Sequence, residues 1–131
     1  MDIALLGGTG DIGEGLALRL AADTTHDVIV GSRDAAKAAA SATEYSETLA
    51  SIGVDRSVVG MENTAAASRA DIAVLAVPPY HVGDTVESVA DALDPGDIVI
   101  SPATGMKRVE DGFPYHQPSA GSVTQIAPGA T

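Results

Sequence analysis

The run Leu5-Leu6-Gly7-Gly8-Thr9-Gly10-Asp11-Ile12-Gly13 lies directly behind a short apolar segment at the amino terminus. Residues 3–6 read as a buried strand. Residues 11–22 carry apolar side chains at helical spacing, Ile12, Leu16 and Leu20 with Ala17 and Leu18 beside them, and read as a helix. Between the two, Gly8, Gly10 and Gly13 keep a G-x-G-x-x-G spacing. Strand, glycines, helix is the context that gives this spacing meaning, a turn whose backbone carries the phosphates of a dinucleotide. Gly8 is expected to make the tight turn, Gly10 to let a pyrophosphate approach the backbone, and Gly13 to let the helix close on the strand. The phosphate-binding set is then Gly8, Thr9, Gly10, Asp11 and Ile12, with the first free N–H groups of the helix as donors. The competing reading is a glycine-rich turn that binds nothing, since glycine makes up 14 of the 131 residues.

Working outward, apolar runs alternate with helical segments. Residues 28–30 form a second strand, 35–49 an alanine-rich helix, and 57–60 a short third strand. Asn63 or Thr64 is placed to cap a brief helix through residue 69. Residues 72–77 are a continuous apolar run stopped by Pro78-Pro79, as for a strand buried on both faces. Residues 80–93 have helical spacing, Asp94-Pro95-Gly96 is a turn, and residues 98–100 make a fifth strand. This alternation predicts an α/β fold, a Rossmann-like doubly wound parallel sheet of strand order 3-2-1-4-5. A ligand would lie across the carboxyl ends of strands 1 and 4. Residues 102–131 read as an irregular tail with a short helix over 119–127. A sixth strand is missing from the pattern, which predicts a chain truncated before it, with residues 1–131 as one nucleotide-binding domain.

The end of the second strand selects the cofactor. A carboxylate about 20 residues beyond the glycines binds the ribose 2′-hydroxyl of NAD, whereas arginine accommodates the 2′-phosphate of NADP. Here the strand ends Val30-Gly31-Ser32-Arg33, with Gly31 where the acid is expected. Ser32 offers a hydroxyl, Arg33 a fork of donors suited to phosphate, and Lys37 a second charge one helical turn on. The plain alternative is that Arg33 and Lys37 are solvated cations near a helix start. Only seven cations occur in the chain, and two at one predicted phosphate corner favour NADP. Asp34 reads either as a displaced NAD-type acid or as the cap of the following helix; the cap is the preferred reading.

Composition narrows the class. The chain is 45% hydrophobic, has no cysteine, and carries a formal charge of −11. Disulfides and thiolate metal sites are excluded, and no apolar run approaches the length of a membrane span. Such acidity repels nucleic acid and anionic lipid, so neither is an expected partner. The acids are dispersed rather than blocked, which resembles halophilic, salt-adapted proteins. A soluble cytoplasmic protein is expected, with small-molecule cofactors as partners and a homodimer as the assembly allowed for.

Other chemistry is sparse. His81 follows the fourth strand and reads either as a proton relay or as a surface histidine at a helix start. His26 and His116 sit in loops without carboxylates at ligand spacing, so no metal site is expected. No nucleophile elbow or Ser-His-Asp arrangement is visible, and no catalytic side chain is nominated.

The stretches Ala4-Leu5-Leu6-Gly7-Gly8-Thr9-Gly10 and Gly13-Glu14-Gly15-Leu16-Ala17-Leu18-Arg19-Leu20, the corner Val30-Gly31-Ser32-Arg33 with Lys37, the strand Ile72-Ala73-Val74-Leu75 with its Val77-Pro78 ending, and Val99-Ile100-Ser101-Pro102 together resemble the coenzyme F420:NADP oxidoreductases. The similarity runs from residue 1 to about residue 126. The resemblance implies NADP held by residues 9–12 at the phosphates, by Ser32, Arg33 and Lys37 at the 2′-phosphate, and beside Pro79 at the nicotinamide end. It also implies reversible hydride transfer between NADP and the deazaflavin coenzyme F420, a reaction that needs no side-chain acid, base or metal in its central step. The chain departs from the family in having Pro79 where a bulky aromatic is usual, and in ending before the family's C-terminal portion. Two other readings stay open: an NADP sensor without chemistry, and an imine reductase of the pyrroline-carboxylate reductase type.

Overall fold

Leu5 and Leu6 are completely buried yet point to opposite sides of one sheet, and the molecule is organised around that alternation. The computed structural model describes residues 1–103 and 110–112. The expected helix over 119–127 and His116 lie outside the described residues. Five strands, β1 (Asp2–Leu6), β2 (Asp27–Ser32), β3 (Val59–Glu62), β4 (Ile72–Leu75) and β5 (Ile98–Ile100), form one sheet. All pairings are parallel and the order is β3-β2-β1-β4-β5, as the alternation predicts. The register aligns Leu5 with Val30 on one side and with Val74 on the other.

Four helices cover the two faces. Helices α1 (Asp11–Asp23) and α2 (Ala35–Ser51) pack with Ile3, Leu5, Val28, Val30 and Val74. Helices α3 (Asn63–Arg69) and α4 (Val82–Val89) pack with Ala4, Leu6, Ile29, Ala73 and Leu75. Both faces of the central strands are therefore covered, which is why they read as unbroken apolar runs. Each fully buried leucine contributes about 1.5–3 kcal/mol relative to exposure.

Several elements depart from expectation for identifiable reasons. The face of α1 turned to the sheet is Gly13, Ala17 and Ala21, while Ile12 is 55% exposed and Leu16, Leu18 and Leu20 are half-buried. Small residues at i, i+4 and i+8 bring the helix axis close to the strands, and the larger side chains fill the flanks. Strand β3 begins two residues late, because the Ser46 hydroxyl takes the Val58 N–H at 3.1 Å before pairing with β2 starts at Val59. The cap of α3 is Glu62, whose carboxylate accepts from the Thr64 N–H at 2.9 Å, and not Asn63 or Thr64. The helix expected over 80–93 is broken into a 3₁₀ turn at Pro79–His81, α4, and a second 3₁₀ turn at Ala90–Ala92.

Candidate nucleotide-binding site

The glycine turn sits at the carboxyl end of β1, where the chain must reverse into α1 within four residues. Gly7 adopts φ +73°, the left-handed region, and a side chain there would also run into Val77 Cγ1. The tight conformation therefore belongs to Gly7 and not to Gly8. Gly8 instead is buried under the turn, its N–H donating to Leu5 O at 3.0 Å and Gly31 O at 2.9 Å. Gly13 performs the expected close approach, with the difference that its partner is the Gly8 backbone, onto which any Cβ would be driven. Gly10 is the N-cap of α1 and has open space in front of it.

No side chain caps α1, and its first backbone bond runs from the Glu14 N–H to Gly10 O at 2.9 Å. The N–H groups of Asp11, Ile12 and Gly13 precede that ladder. By contrast, Asp34 caps α2, its carboxylate accepting from the Ala36 and Lys37 N–H groups at 2.9 and 3.3 Å. Asp34 is thus a helix cap and not a displaced acid.

Beyond the turn, a cleft of about 200 Å³ opens over the carboxyl edge of the sheet. Thr9, Ser32, Arg33 and Lys37 line it, together with His81, so four of the residues expected to hold a cofactor meet there. Gly8, Gly10, Asp11, Ile12 and Pro79 do not line this cavity. Gly8 is beneath the turn, Gly10, Asp11 and Ile12 are exposed at the start of α1, and Pro79 is half-buried in the 3₁₀ turn. Ser32 is buried, and its Oγ accepts the Asp34 N–H at 3.2 Å, which leaves the hydroxyl hydrogen to donate elsewhere.

Charge marks the site more sharply than shape. Five of the cations lie among the described residues. Arg19, Arg56 and Arg69 pair with Asp23, Asp27 and Asp2. Arg33 and Lys37 form no ion pair among the described residues, and both face the cleft. The cleft lining also includes the Asp84 carboxylate, but Arg33 and Lys37 outnumber it, and in a protein of net charge −11 that local excess of positive charge suits an anion.

Two residues not expected at the site, one of them the Asn63 read from sequence only as a candidate cap, hold the turn in place. Tyr45, buried on α2, donates its hydroxyl to Gly8 O at 3.1 Å. Burial raises the pKa of that hydroxyl above the ordinary tyrosine value, and the Glu14 carboxylate adds to the effect. Asn63 is buried at the start of α3, and its Oδ1 accepts the Gly7 N–H at 3.2 Å. A Cβ on Gly31 would stand 2.6 Å from that oxygen, so Asn63 excludes a side chain from the position where an NAD-type acid is expected. A polar residue beginning a short helix directly after a strand is the only local signal for Asn63, and it points equally to a cap.

The family described as "NADP oxidoreductase coenzyme F420-dependent" matches residues 2–105. An F420-dependent NADP reductase of Methanocaldococcus jannaschii is 41% identical over 101 residues, which cover 77% of this chain and 44% of that protein. One from Methanothermobacter marburgensis is 46% identical over 93 residues, covering 71% of this chain and 40% of that one. The chain thus spans less than half the length of either relative. A solved structure from Arthrobacter sp. FB24, assigned as an F420-dependent NADP reductase, superposes with a TM-score of 0.74 at 25% identity, covering 99% of this chain and 59% of that one.

Proposed function

The chain belongs to the coenzyme F420-dependent NADP oxidoreductase family, and from that premise we propose that it binds NADP in the cleft and serves reversible hydride transfer between NADP and coenzyme F420. The observation that carries the cofactor assignment is the pair of unpaired cations, Arg33 and Lys37, beside the buried Ser32 hydroxyl at the end of β2. A dianionic 2′-phosphate is the group that this donor set fits, and Gly31 leaves no acid to repel it. NADP and the deazaflavin supply the redox chemistry when bound. The protein's own part is to grip, orient and exclude water. Backbone N–H groups at Thr9, Gly10, Asp11 and Ile12 are assigned to the pyrophosphate, and Pro79 to the nicotinamide end. The cleft is smaller than the roughly 300–1,000 Å³ of sites that enclose a whole small molecule. A dinucleotide would therefore seat its adenylyl end there and extend along the open rim past His81.

Among the described residues no helix is long and apolar enough to cross a membrane. The acidity of the chain supports a cytoplasmic, salt-adapted protein with small-molecule partners and no affinity for nucleic acid.

The deciding experiment mixes the protein with NADPH and oxidised F420 and follows the deazaflavin absorbance. Bleaching that depends on the protein is the expected result. Unchanged absorbance while NADPH still binds would overturn the hydride-transfer reading for this chain and leave it the nucleotide-binding part of such an oxidoreductase or a sensor.

A further inference from the structure

Beside the Tyr45 hydroxyl, Asn63 and Ser32 are the buried polar side chains among the described residues, and Asn63 is only 4% exposed. A primary amide has an acceptor end and a donor end, and burial makes each costly to leave unpaired. The orientation follows from chemistry. The Gly7 N–H can only donate, so the atom 3.2 Å from it must be Oδ1, which turns Nδ2 and its two hydrogens the other way. Nδ2 has no hydrogen-bond partner among the described residues. Yet no fully buried side-chain nitrogen or oxygen among them lacks a partner, so Nδ2 is not sealed in. Asn63 forms the wall of the cleft with Gly7, Ser32 and Arg33, which makes the cleft the space available to that donor.

We infer that Asn63 is a ligand-contacting residue: its Nδ2 donates to an oxygen of the bound dinucleotide while its Oδ1 holds the Gly7 amide in the turn. The inference rests on the reading of the cleft as a cofactor site. Asn63 stands between Gly7 at the glycine turn and Gly31 at the end of β2, occupying the space a β2 side chain would need. That location assigns its acceptor to the pyrophosphate or the adenosine ribose, which NADP and NAD share, whereas Arg33 and Lys37 serve the 2′-phosphate. One amide then couples the shape of the turn to occupancy of the cleft.

Asn63→Asp separates the two halves of the role, since it keeps an acceptor for the Gly7 N–H and removes the donor. Calorimetric titration of the full 131-residue chain with NADP+ and with NAD+ should show at least about a tenfold weakening for both. Wild-type affinity in this variant would mean that Asn63 only braces the turn, and would overturn the inference. A loss confined to NADP+ would move the contact to the 2′-phosphate and equally overturn it. Because a buried carboxylate can unfold a protein or repel phosphate, the unaltered chain supplies a second readout. The side-chain NH₂ resonances of Asn63 in a ¹⁵N–¹H spectrum should shift on adding NADP+, and a pair that stays in place while NADP+ saturates the protein would refute the contact. A wild-type chain that binds neither nucleotide would instead remove the cofactor reading on which this one stands.

Discussion

The Tyr45 hydroxyl and the Gly8 carbonyl, 37 residues apart in sequence, meet at 3.1 Å and fasten α2 to the glycine turn. The same carbonyl lies against Gly13, so the bond fixes the peptide on which α1 rests. Tyr45→Phe leaves Gly8 O buried without its donor. Urea denaturation should report a loss of about 1–2 kcal/mol, with the parallel sheet signature of the circular dichroism spectrum retained.

The raised pKa of Tyr45 gives that bond a pH signature. The unfolded chain releases the phenol proton near the ordinary tyrosine value of 10.0, before the folded chain does. The contribution of Tyr45 is therefore complete below that pH and is lost as pH rises through the folded value. Melting temperatures measured from pH 8 upward should fall more steeply in the wild type than in Tyr45→Phe once pH 10.0 is passed. Parallel curves would contradict the assignment.

Arg33→Ala removes one of the two cations that form no ion pair among the described residues, without touching the core. Affinity for NADP+ should drop by roughly 1.5–3 kcal/mol, the value of a hydrogen bond to a charged group, while NAD+ binding stays nearly constant. An equal loss for both cofactors would place the 2′-phosphate elsewhere.

Gly13→Ala drives a methyl group into the Gly8 backbone, which cannot yield as a flexible side chain could. Overpacking of this kind costs about 1–3 kcal/mol. Thermal denaturation should show that loss, and nucleotide binding should weaken with it because α1 is pushed off the turn.

Gly31→Asp installs the acid found in NAD-dependent relatives of this fold, and it should fail to convert the cofactor preference. Its Cβ would lie 2.6 Å from Asn63 Oδ1 and 3.2 Å from Leu5 O. Adding Asn63→Ala opens the space, so the double variant should be more stable than Gly31→Asp alone. A thermodynamic cycle should give a coupling of at least about 0.5 kcal/mol, and additive effects would show that the two positions do not compete.

The fold was legible because parallel strands buried on both faces leave unbroken apolar runs, and 72–75 between a helix and two prolines is the clearest case. The grouping of Ser32, Arg33 and Lys37 was legible for a different reason. Cations are so scarce in this chain that Arg33 and Lys37 stand out, and the cleft brings both together with Ser32. The inner face of α1 was misread because hydropathy favours Ile12 and Leu16, whereas close helix–sheet contact selects Gly13, Ala17 and Ala21. The roles of Asn63 and Tyr45 at the turn escaped notice because their partners lie 56 and 37 residues away, at Gly7 and Gly8. No local spacing encodes such a contact. It exists only once the crossovers have brought α2 and α3 to the same edge.

The distribution of ion pairs has a kinetic consequence. Among the described residues, three arginines are neutralised by neighbouring aspartates, and the two cations without an ion pair, Arg33 and Lys37, line one wall of the cleft. From a distance, an incoming polyanion meets a repulsive field, and it is attracted only within about 10 Å of that wall at moderate ionic strength. Added electrolyte shortens both ranges at once, so arrival quickens while residence shortens. The two changes act on the equilibrium constant in opposite directions, so it should vary with salt less than the more salt-sensitive of the two rates does.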